Sequence, residues 1–296
     1  MSRLQADLVL LFVALIWGAA FVAQKDALAH VGSLTFIAAR FAISAVIAIP
    51  LAWREHGRVT ADLSLRRVPL RDLALLCASF AGAVILQQVG LEKTTVTNAG
   101  FLTGLYVLFV PVICRLIYRQ TLSGYVFPAA ALSVAGVYLL SGGGPMSFSS
   151  GDGLVLLCAV GFAIQVALIG KIMAAVKAPF RICFLQYAVT AFVAFIGAMI
   201  YEHPNMDDIL KAWIPILYGG AISGGIAYTL QVVAQQYTPA SDSAVILSGE
   251  SVFAAITAAI MNGERLSPAG TGGCLLIILA ILMVEFGPYL APKKQS

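Results

Sequence analysis

Two ionisable side chains, Arg40 and Glu250, lie inside stretches of the chain that are otherwise apolar. A charged side chain at membrane depth costs about 2.5–3.5 kcal/mol on insertion scales, so such groups usually face a cavity, a partner or a transport pathway. Glu250 could therefore bind a substrate ammonium ion or accept a proton, or it could be a structural glutamate satisfied by Ser or Asn neighbours. Arg40 is a candidate intramembrane cation, or its long side chain could extend to the outer interface.

Aromatic and amide side chains recur at helical spacing in the same stretches. A mixed aromatic and polar wall suits a ligand with an apolar body and a polar head. For any single aromatic residue, simple packing in a helix bundle is the commoner explanation. The predicted wall of a binding cavity consists of Trp17, Phe21, Phe80, Gln87, Phe101, Phe162, Gln165, Tyr228, Glu250 and Phe253.

The sequence offers little support for other site chemistries. The histidines His30, His56 and His203 fall in separate predicted loops, so no metal site is predicted. The five cysteines lie in apolar stretches without paired spacing and are interpreted as small hydrophobic residues. The sequence contains no phosphate-binding loop, zinc-protease helix or nucleophile elbow, so neither a cofactor nor an enzymatic activity is predicted.

The composition places these side chains in a membrane protein. Of the 296 residues, 60% are hydrophobic and 11% are charged, whereas a soluble domain carries about 25% charged residues. This excludes an ordinary soluble enzyme, a nucleic-acid-binding protein and a disordered regulator. The net charge of +4 is too small to indicate a polyanionic partner. The predicted surroundings of the chain are therefore the lipid bilayer.

Apolar stretches long enough to cross a bilayer, about 20 residues each, recur along the whole chain. They are too long and too uniformly apolar for barrel strands, so helices are predicted. The short connectors leave no room for an attached ATPase domain. The ten predicted transmembrane helices cover residues 8–24, 34–53, 73–91, 99–117, 123–140, 153–172, 180–200, 212–234, 243–261 and 269–287.

The distribution of Lys and Arg predicts the orientation. With the N-terminus in the cytoplasm, thirteen of the eighteen basic side chains fall on the cytoplasmic side and four on the other, with Arg40 inside a span. Positive charge accumulates on the cytoplasmic side of membrane proteins. Both termini are therefore predicted to be cytoplasmic.

The two halves of the sequence resemble each other at an offset of about 145 residues. The aligned pairs include Asp7 with Asp152, Trp17 with Phe162, Thr94 with Thr238, Gln87 with Gln231 and Phe109 with Phe253. The predicted organisation is a first five-helix repeat at 1–141, a linker at 142–152 and a second repeat at 153–296. Because five is odd, the repeats must cross the membrane in opposite directions, which is a recurrent construction of transporters around a central cavity.

Three short motifs resemble those of a known family. They are Trp17-Gly18-Ala19-Ala20-Phe21, the pair Arg40-Phe41, and the turn Gly263-Glu264-Arg265-Leu266-Ser267. Together they resemble the EamA family of the drug/metabolite transporter superfamily, and most closely its bacterial exporters of aromatic and other neutral amino acids. The resemblance implies a cavity lined by the first four helices of each repeat, with helices five and ten peripheral. Ser251 stands where many relatives carry a proline, so the sequence does not by itself predict the family's break in the ninth helix.

The resemblance implies a multi-pass secondary transporter of the bacterial inner membrane, for which a monomer suffices. It would export small amphipathic metabolites, in particular neutral and aromatic amino acids, by alternating access. Gln165 and Glu250 would orient the amino and carboxyl groups of the substrate. Proton coupling through Glu250 and uncoupled transport are both compatible with the sequence. The residues expected to contact the apolar side chain of the substrate are Trp17, Phe80, Phe101 and Phe162.

The sequence leaves other functions open. An anion or nucleotide-sugar transporter of the same superfamily would need several cations inside the membrane, and only Arg40 is available. An intramembrane protease or lipid transferase would need a Ser/His, paired Asp or metal constellation at membrane depth, which the sequence does not show. A channel would be expected to carry rings of polar residues along its pore.

Overall fold

The computed structural model describes residues 1–57, 65–143, 149–262 and 267–290. Within these ranges the protein is helical and contains no β-strand. The helices are α1 Arg3–Ala27, α2 Ser33–Gly57, α3 Leu70–Glu92, α4 Val96–Gly104, α5 Tyr106–Leu116, α6 Val126–Leu140, α7 Ser150–Ala175, α8 Pro179–Tyr201, α9 Met206–Lys211, α10 Trp213–Leu217, α11 Thr229–Ala234, α12 Ala240–Leu247, α13 Glu250–Asn262 and α14 Pro268–Leu290. A short 3-10 turn covers Leu65–Arg67, and a π-helical stretch, Tyr218–Tyr228, joins α10 to α11.

The prediction of transmembrane helices is met in part. Among the described residues, eight helical segments are long and apolar enough to cross a membrane. The predicted span 123–140 corresponds to α6, which has 15 residues, and the predicted span 243–261 is divided between α12 and α13. Ten spans and cytoplasmic termini therefore stay predictions.

The first helix of each repeat begins in the same way. The Ser2 side chain accepts a hydrogen bond from the Gln5 backbone at the start of α1, and the Ser149 side chain accepts one from the Asp152 backbone at the start of α7. The side chains of Gln5 and Asp152 bond back to the cap residues, which completes a capping box at both places. Helix α7 thus begins inside the predicted linker 142–152.

Helices from the two repeats pack against each other in pairs, α2 with α8, α3 with α7 and α6 with α14. Small residues permit the closest approaches. A Cβ atom added at Gly136 of α6 would lie 2.6 Å from the carbonyl oxygen of Gly273 in α14. The two repeats are therefore interleaved along their length, and α6 and α14 form a pair of their own.

Two glutamates fasten α2 and α8 at both ends. The Glu202 carboxylate, beyond the end of α8, accepts hydrogen bonds from the backbone nitrogens of Leu34 and Thr35 at 2.8 Å, and from the Thr35 hydroxyl at 2.7 Å. At the opposite end, the Glu55 carboxylate of α2 accepts a bond from the Arg181 backbone of α8 at 2.9 Å. Each helix thus caps the start of the other, which shows that the two helices run antiparallel.

The fourth helix of each repeat is broken at equivalent positions. Leu105 separates α4 from α5 with φ −61° and ψ −14°, and Ser248 ends α12 with φ −61° and ψ −15°. Gly249, 144 positions after Leu105, completes the second break before α13 begins at Glu250. The ninth predicted helix is therefore broken although Ser251, and not a proline, follows Glu250. Interrupted membrane helices are found where transporters bind their substrates.

Candidate functional site

A central cavity lies between the two repeats and next to both helix breaks. It encloses about 520 Å³ of space between atoms, part of which is continuous with the outside. Its wall consists of Trp17, Ala20, Phe21, Gln24, Arg40, Gln87, Thr103, Tyr106, Phe162, Gln165, Val166, Ser223, Tyr228, Gln231, Leu247 and Glu250.

Most residues of this wall occupy equivalent positions in the two sequence repeats. Twelve of the sixteen lining residues form six pairs at offsets of 145 in the first helices and 144 further along. The cavity therefore lies where the two inverted repeats face each other. The pairs are Trp17 with Phe162, Ala20 with Gln165, Phe21 with Val166, Gln87 with Gln231, Thr103 with Leu247, and Tyr106 with Glu250.

The structure brings most of the predicted site residues together in this wall. Those that line the cavity are Trp17, Phe21, Arg40, Gln87, Phe162, Gln165, Tyr228 and Glu250. Phe80, Phe101 and Phe253 do not belong to the lining, so the predicted wall is corrected at these three positions.

Two of the three corrected residues pack behind or beside the wall. Phe80 is fully buried and packs edge-on against Tyr228, with ring centres 4.9 Å apart, so it supports the wall from behind. Phe101 lies 6.0 Å from the ring of Tyr138 in α6. Phe253 lies one turn into α13, and its backbone nitrogen donates to the carbonyl of Gly249 at the break.

Arg40 is buried in the wall, with 3% of its surface exposed, and does not extend to an interface. Its guanidinium carbon lies 5.2 Å from the ring centre of Phe36 and 4.8 Å from that of Phe41. Cation–π contacts of this kind are worth about 2 kcal/mol when desolvated. Its Nε atom has no hydrogen-bond partner among the described residues. The guanidinium is thus held by aromatic faces instead of a counter-ion.

Glu250 is the first residue of α13 and is also buried, with 6% of its surface exposed. A carboxylate at the start of a helix is stabilised by the positive end of the helix dipole. Within the described part of the chain, its Oε1 atom has no hydrogen-bond partner. The cavity thus contains one cation and one carboxylate, and neither has an ion partner in the parts of the chain that are described.

Trp17 and Tyr228 pack against each other in the aromatic part of the wall. The indole nitrogen of Trp17 donates to the carbonyl of Ser223 at 3.2 Å, which fixes the ring, and the ring centres of Trp17 and Tyr228 are 4.5 Å apart. Tyr228 interacts electrostatically with both Arg40 and Glu250. An apolar face therefore lies beside the two charged groups.

Several residues of the cavity wall carry a buried polar atom without a hydrogen-bond partner among the described residues. Buried polar groups are normally hydrogen-bonded, so each exception points to an absent partner. The lining atoms without a partner in the described ranges are Oε1 of Gln24, Gln165, Gln231 and Glu250, Nε of Arg40 and the hydroxyl of Tyr106.

The sequence prediction missed part of the wall. Gln24 and Gln231 share helical faces with predicted residues, and repeat alignment would have found Tyr106 from Glu250, Ala20 from Gln165 and Val166 from Phe21, but not the unpredicted pair Thr103 and Leu247. Nothing in the sequence singled out Ser223. In the described ranges, no cluster of three or more His, Cys, Asp or Glu side chains could hold a metal ion.

Comparisons with known proteins give a consistent result. Residues 4–142 and 149–286 each match the model of the EamA-like transporter family. An uncharacterized transporter of Archaeoglobus fulgidus is 32% identical over 285 residues, which cover 96% of this chain and 87% of the relative. A second uncharacterized transporter of the same organism is 25% identical over 283 residues, covering 94% and 97%. A crystal structure with 18% sequence identity has the same fold, with a TM-score of 0.78 and coverage of 96% and 97% of the two chains.

Proposed function

The chain belongs to the EamA-like transporter family, and from this premise we propose that it exports neutral and aromatic amino acids across the bacterial inner membrane. A transporter of this family moves small molecules through a membrane. The finer proposal is that the substrate is a zwitterion, that the central cavity is its binding site, and that one monomer transports it by alternating access between the inverted repeats.

The unpaired Arg40 and Glu250 in one cavity are the observation that carries this proposal. An isolated buried charge costs several kcal/mol, because it loses its hydration without gaining a partner. A ligand with one carboxylate and one ammonium group satisfies both charges and leaves the complex neutral. A purely anionic substrate would meet the carboxylate of Glu250 in the same wall, so an anion or nucleotide-sugar transporter is disfavoured.

The remaining lining groups fit an amino acid with an apolar side chain. An ammonium group has three donors to place, and free acceptor oxygens are available on Gln24, Gln165 and Gln231 in addition to Glu250. Trp17, Phe162 and Tyr228 supply aromatic surface for the side chain of the substrate. The predicted role of Gln165 in orienting the amino group is therefore kept.

Glu250 also determines how transport could be driven. If a proton replaces the departing ammonium group on Glu250, the empty carrier returns with a neutral cavity carboxyl, and transport is coupled to protons. If the carboxylate returns without a proton, the protein is a uniporter. Counterflow with and without a pH gradient across the membrane separates the two modes.

Transport by purified protein in liposomes tests the substrate class. We expect phenylalanine to be exchanged at least about tenfold faster than phenethylamine, which lacks the carboxylate, or phenylpropionate, which lacks the ammonium group. Glu250→Gln should weaken exchange of phenylalanine, whereas Glu92→Gln, a carboxylate change outside the cavity, should not. Equal rates for all three compounds, or no exchange of any amino acid by the unaltered protein, would refute the proposal.

A further inference from the structure

Tyr106 occupies the position in the first repeat that Glu250 occupies in the second. The two residues are 144 positions apart, each is the first residue of a helix that follows a break, and both line the cavity. Helix α5 has 11 residues and α13 has 13, so each presents a helix amino end to the same space. The two breaks thus create two equivalent polar positions.

The chemistry of these two positions differs. The amino end of a helix carries partial positive charge and favours an anion. At α13 the chain supplies that anion itself as the Glu250 carboxylate. At α5 the equivalent residue is Tyr106, which is neutral and has a hydroxyl donor. An anion at this second position must therefore come from the ligand.

The hydroxyl of Tyr106 is buried without a partner among the described residues. The residue as a whole has 4% of its surface exposed. A buried hydroxyl without a partner is unfavourable. By contrast, the hydroxyl of the buried Tyr187 bonds Thr229 at 3.0 Å, and that of the half-buried Tyr218 donates to the carbonyl of Ile16 at 2.8 Å.

We infer that the hydroxyl of Tyr106, at the amino end of α5, binds the carboxylate of a zwitterionic substrate whose ammonium group is bound by Glu250. The inference rests on the proposed function and adds a specificity-determining residue to it. Tyr106 distinguishes amino acids from the corresponding amines, and Arg40 adds positive charge without being the only donor to the carboxylate.

The proximity of the two residues supports this assignment. The ammonium and carboxylate groups of an amino acid are attached to one carbon atom, so their binding partners must lie close together. Tyr106 interacts electrostatically with Glu250 and with Tyr228, and no hydrogen bond joins Tyr106 to Glu250. Tyr106 and Glu250 therefore belong to one cavity wall, at corresponding positions of the two repeats.

The variant Tyr106→Phe removes the hydroxyl and keeps the ring. We expect kcat/KM for phenylalanine exchange to fall about tenfold or more through a higher KM, because a hydrogen bond to a charged group is lost. Exchange of phenethylamine should be unchanged, since it has no carboxylate. Tyr187→Phe, which alters a buried tyrosine outside the lining, should leave the ratio of the two substrates as it is.

The outcomes separate this inference from the proposed function. If the unaltered protein exchanges phenylalanine and Tyr106→Phe slows both substrates equally, the tyrosine has a structural role and the inference is wrong. If the unaltered protein exchanges no amino acid, the proposed function itself fails. As a second test, Tyr106→Glu should abolish phenylalanine exchange and retain phenethylamine exchange, because the variant places a second carboxylate where the carboxylate of the substrate would bind.

Discussion

Thr238 donates a hydrogen bond to Asp7 where the second repeat meets the start of α1, and its counterpart Thr94 donates one to Asp152 where the first repeat meets the start of α7. Both bonds measure 2.5 Å, and in an inverted arrangement they lie at opposite faces of the membrane. These two contacts, the Asp7 closure and the Asp152 closure, thus have hydrogen bonds of the same length. The charged and polar groups around them differ.

The Asp7 closure contains charges from both repeats. Arg3 lies 3.4 Å from Asp7 and 2.7 Å from Asp242, so a cation of the first repeat bridges two carboxylates. The Asp152 closure has polar groups in place of the Arg3 cation, because Asn98 of the first repeat adds a longer bond at 3.5 Å and the second oxygen accepts from the backbone and hydroxyl of Ser149 at 2.6 and 2.9 Å. The two repeats thus share the positions and lengths of these hydrogen bonds, whereas the neighbouring side chains determine how strongly each closure is stabilised.

The largest expected effect comes from a position where the repeats differ by one methyl group. A Cβ atom at Gly18 would lie 2.7 Å from the backbone of both Ala254 and Glu250, whereas its counterpart Ala163 already carries a Cβ atom. Gly18→Ala should lower the free energy of unfolding by about 3 kcal/mol, because the start of α13 must move.

Thermal unfolding in detergent and amino-acid exchange in liposomes measure this change. Gly82→Ala is the matched control, since a Cβ atom there has no neighbour within 4 Å. If the two variants unfold at the same temperature, the close approach of α1 to α13 does not limit the structure.

Removal of the caps of α2 and α8 should have an intermediate effect on the free energy of unfolding, and the two losses should differ. Glu202 accepts three hydrogen bonds from the start of α2, whereas Glu55 accepts backbone bonds from Phe180 and Arg181 at the start of α8. Loss of a helix cap typically costs about 1 kcal/mol and can reach about 2 kcal/mol. Glu202→Ala should therefore lower the unfolding temperature more than Glu55→Ala, and the reverse order in the same detergent would contradict this comparison.

The smallest effect is expected at the two closures, where the variants remove one hydroxyl each. Loss of a hydrogen bond worth about 1 kcal/mol corresponds to about a fivefold shift between open and closed forms. Thr94→Val should give the larger shift toward opening at its face, because it leaves Asp152 the long bond from Asn98. Thr238→Val should give less, because Arg3 still joins α1 to Asp242 of the second repeat.

Labelling of a cavity cysteine measures this shift. Ser223→Cys, with the native cysteines replaced by alanine, can be exposed to a membrane-impermeant thiol reagent from each face in turn. Equal responses of the two Val variants would mean that the ion pairs add nothing to the first closure.

Helical spacing predicted much of the cavity wall but not the side chains near the helix breaks. Trp17 and Phe162 could be assigned because they lie in unbroken helices, where the residues of one face follow from spacing alone. Phe101 and Phe253 flank the breaks, and a break redirects the helix, so spacing on one side no longer fixes the face on the other. Phe80 is absent from the lining for another reason, because it is fully buried and packs edge-on against Tyr228 of the other repeat. Such a contact depends on tertiary packing.

The helix breaks themselves had a partial signal in the sequence. No proline marks them, and Leu105 is an ordinary helix former. Gly249 was the visible cue at the second break, and the alignment of the repeats would have transferred it to the first. The fold class could be predicted from composition and length. The contact of Arg40 with aromatic rings could not, because it depends on how α2 packs.

The π-helical stretch Tyr218–Tyr228 exists only in the second repeat, since the equivalent part of α3 is α-helical. Rewinding such a stretch into an α-helix shifts its register by a residue, and one residue of an α-helix corresponds to about 100° of rotation. Every side chain beyond the stretch, including that of Gln231, would then turn about the helix axis. Rewinding of this stretch would therefore turn the wall of the second repeat about one helix axis, a motion distinct from movement of the two repeats as rigid bodies.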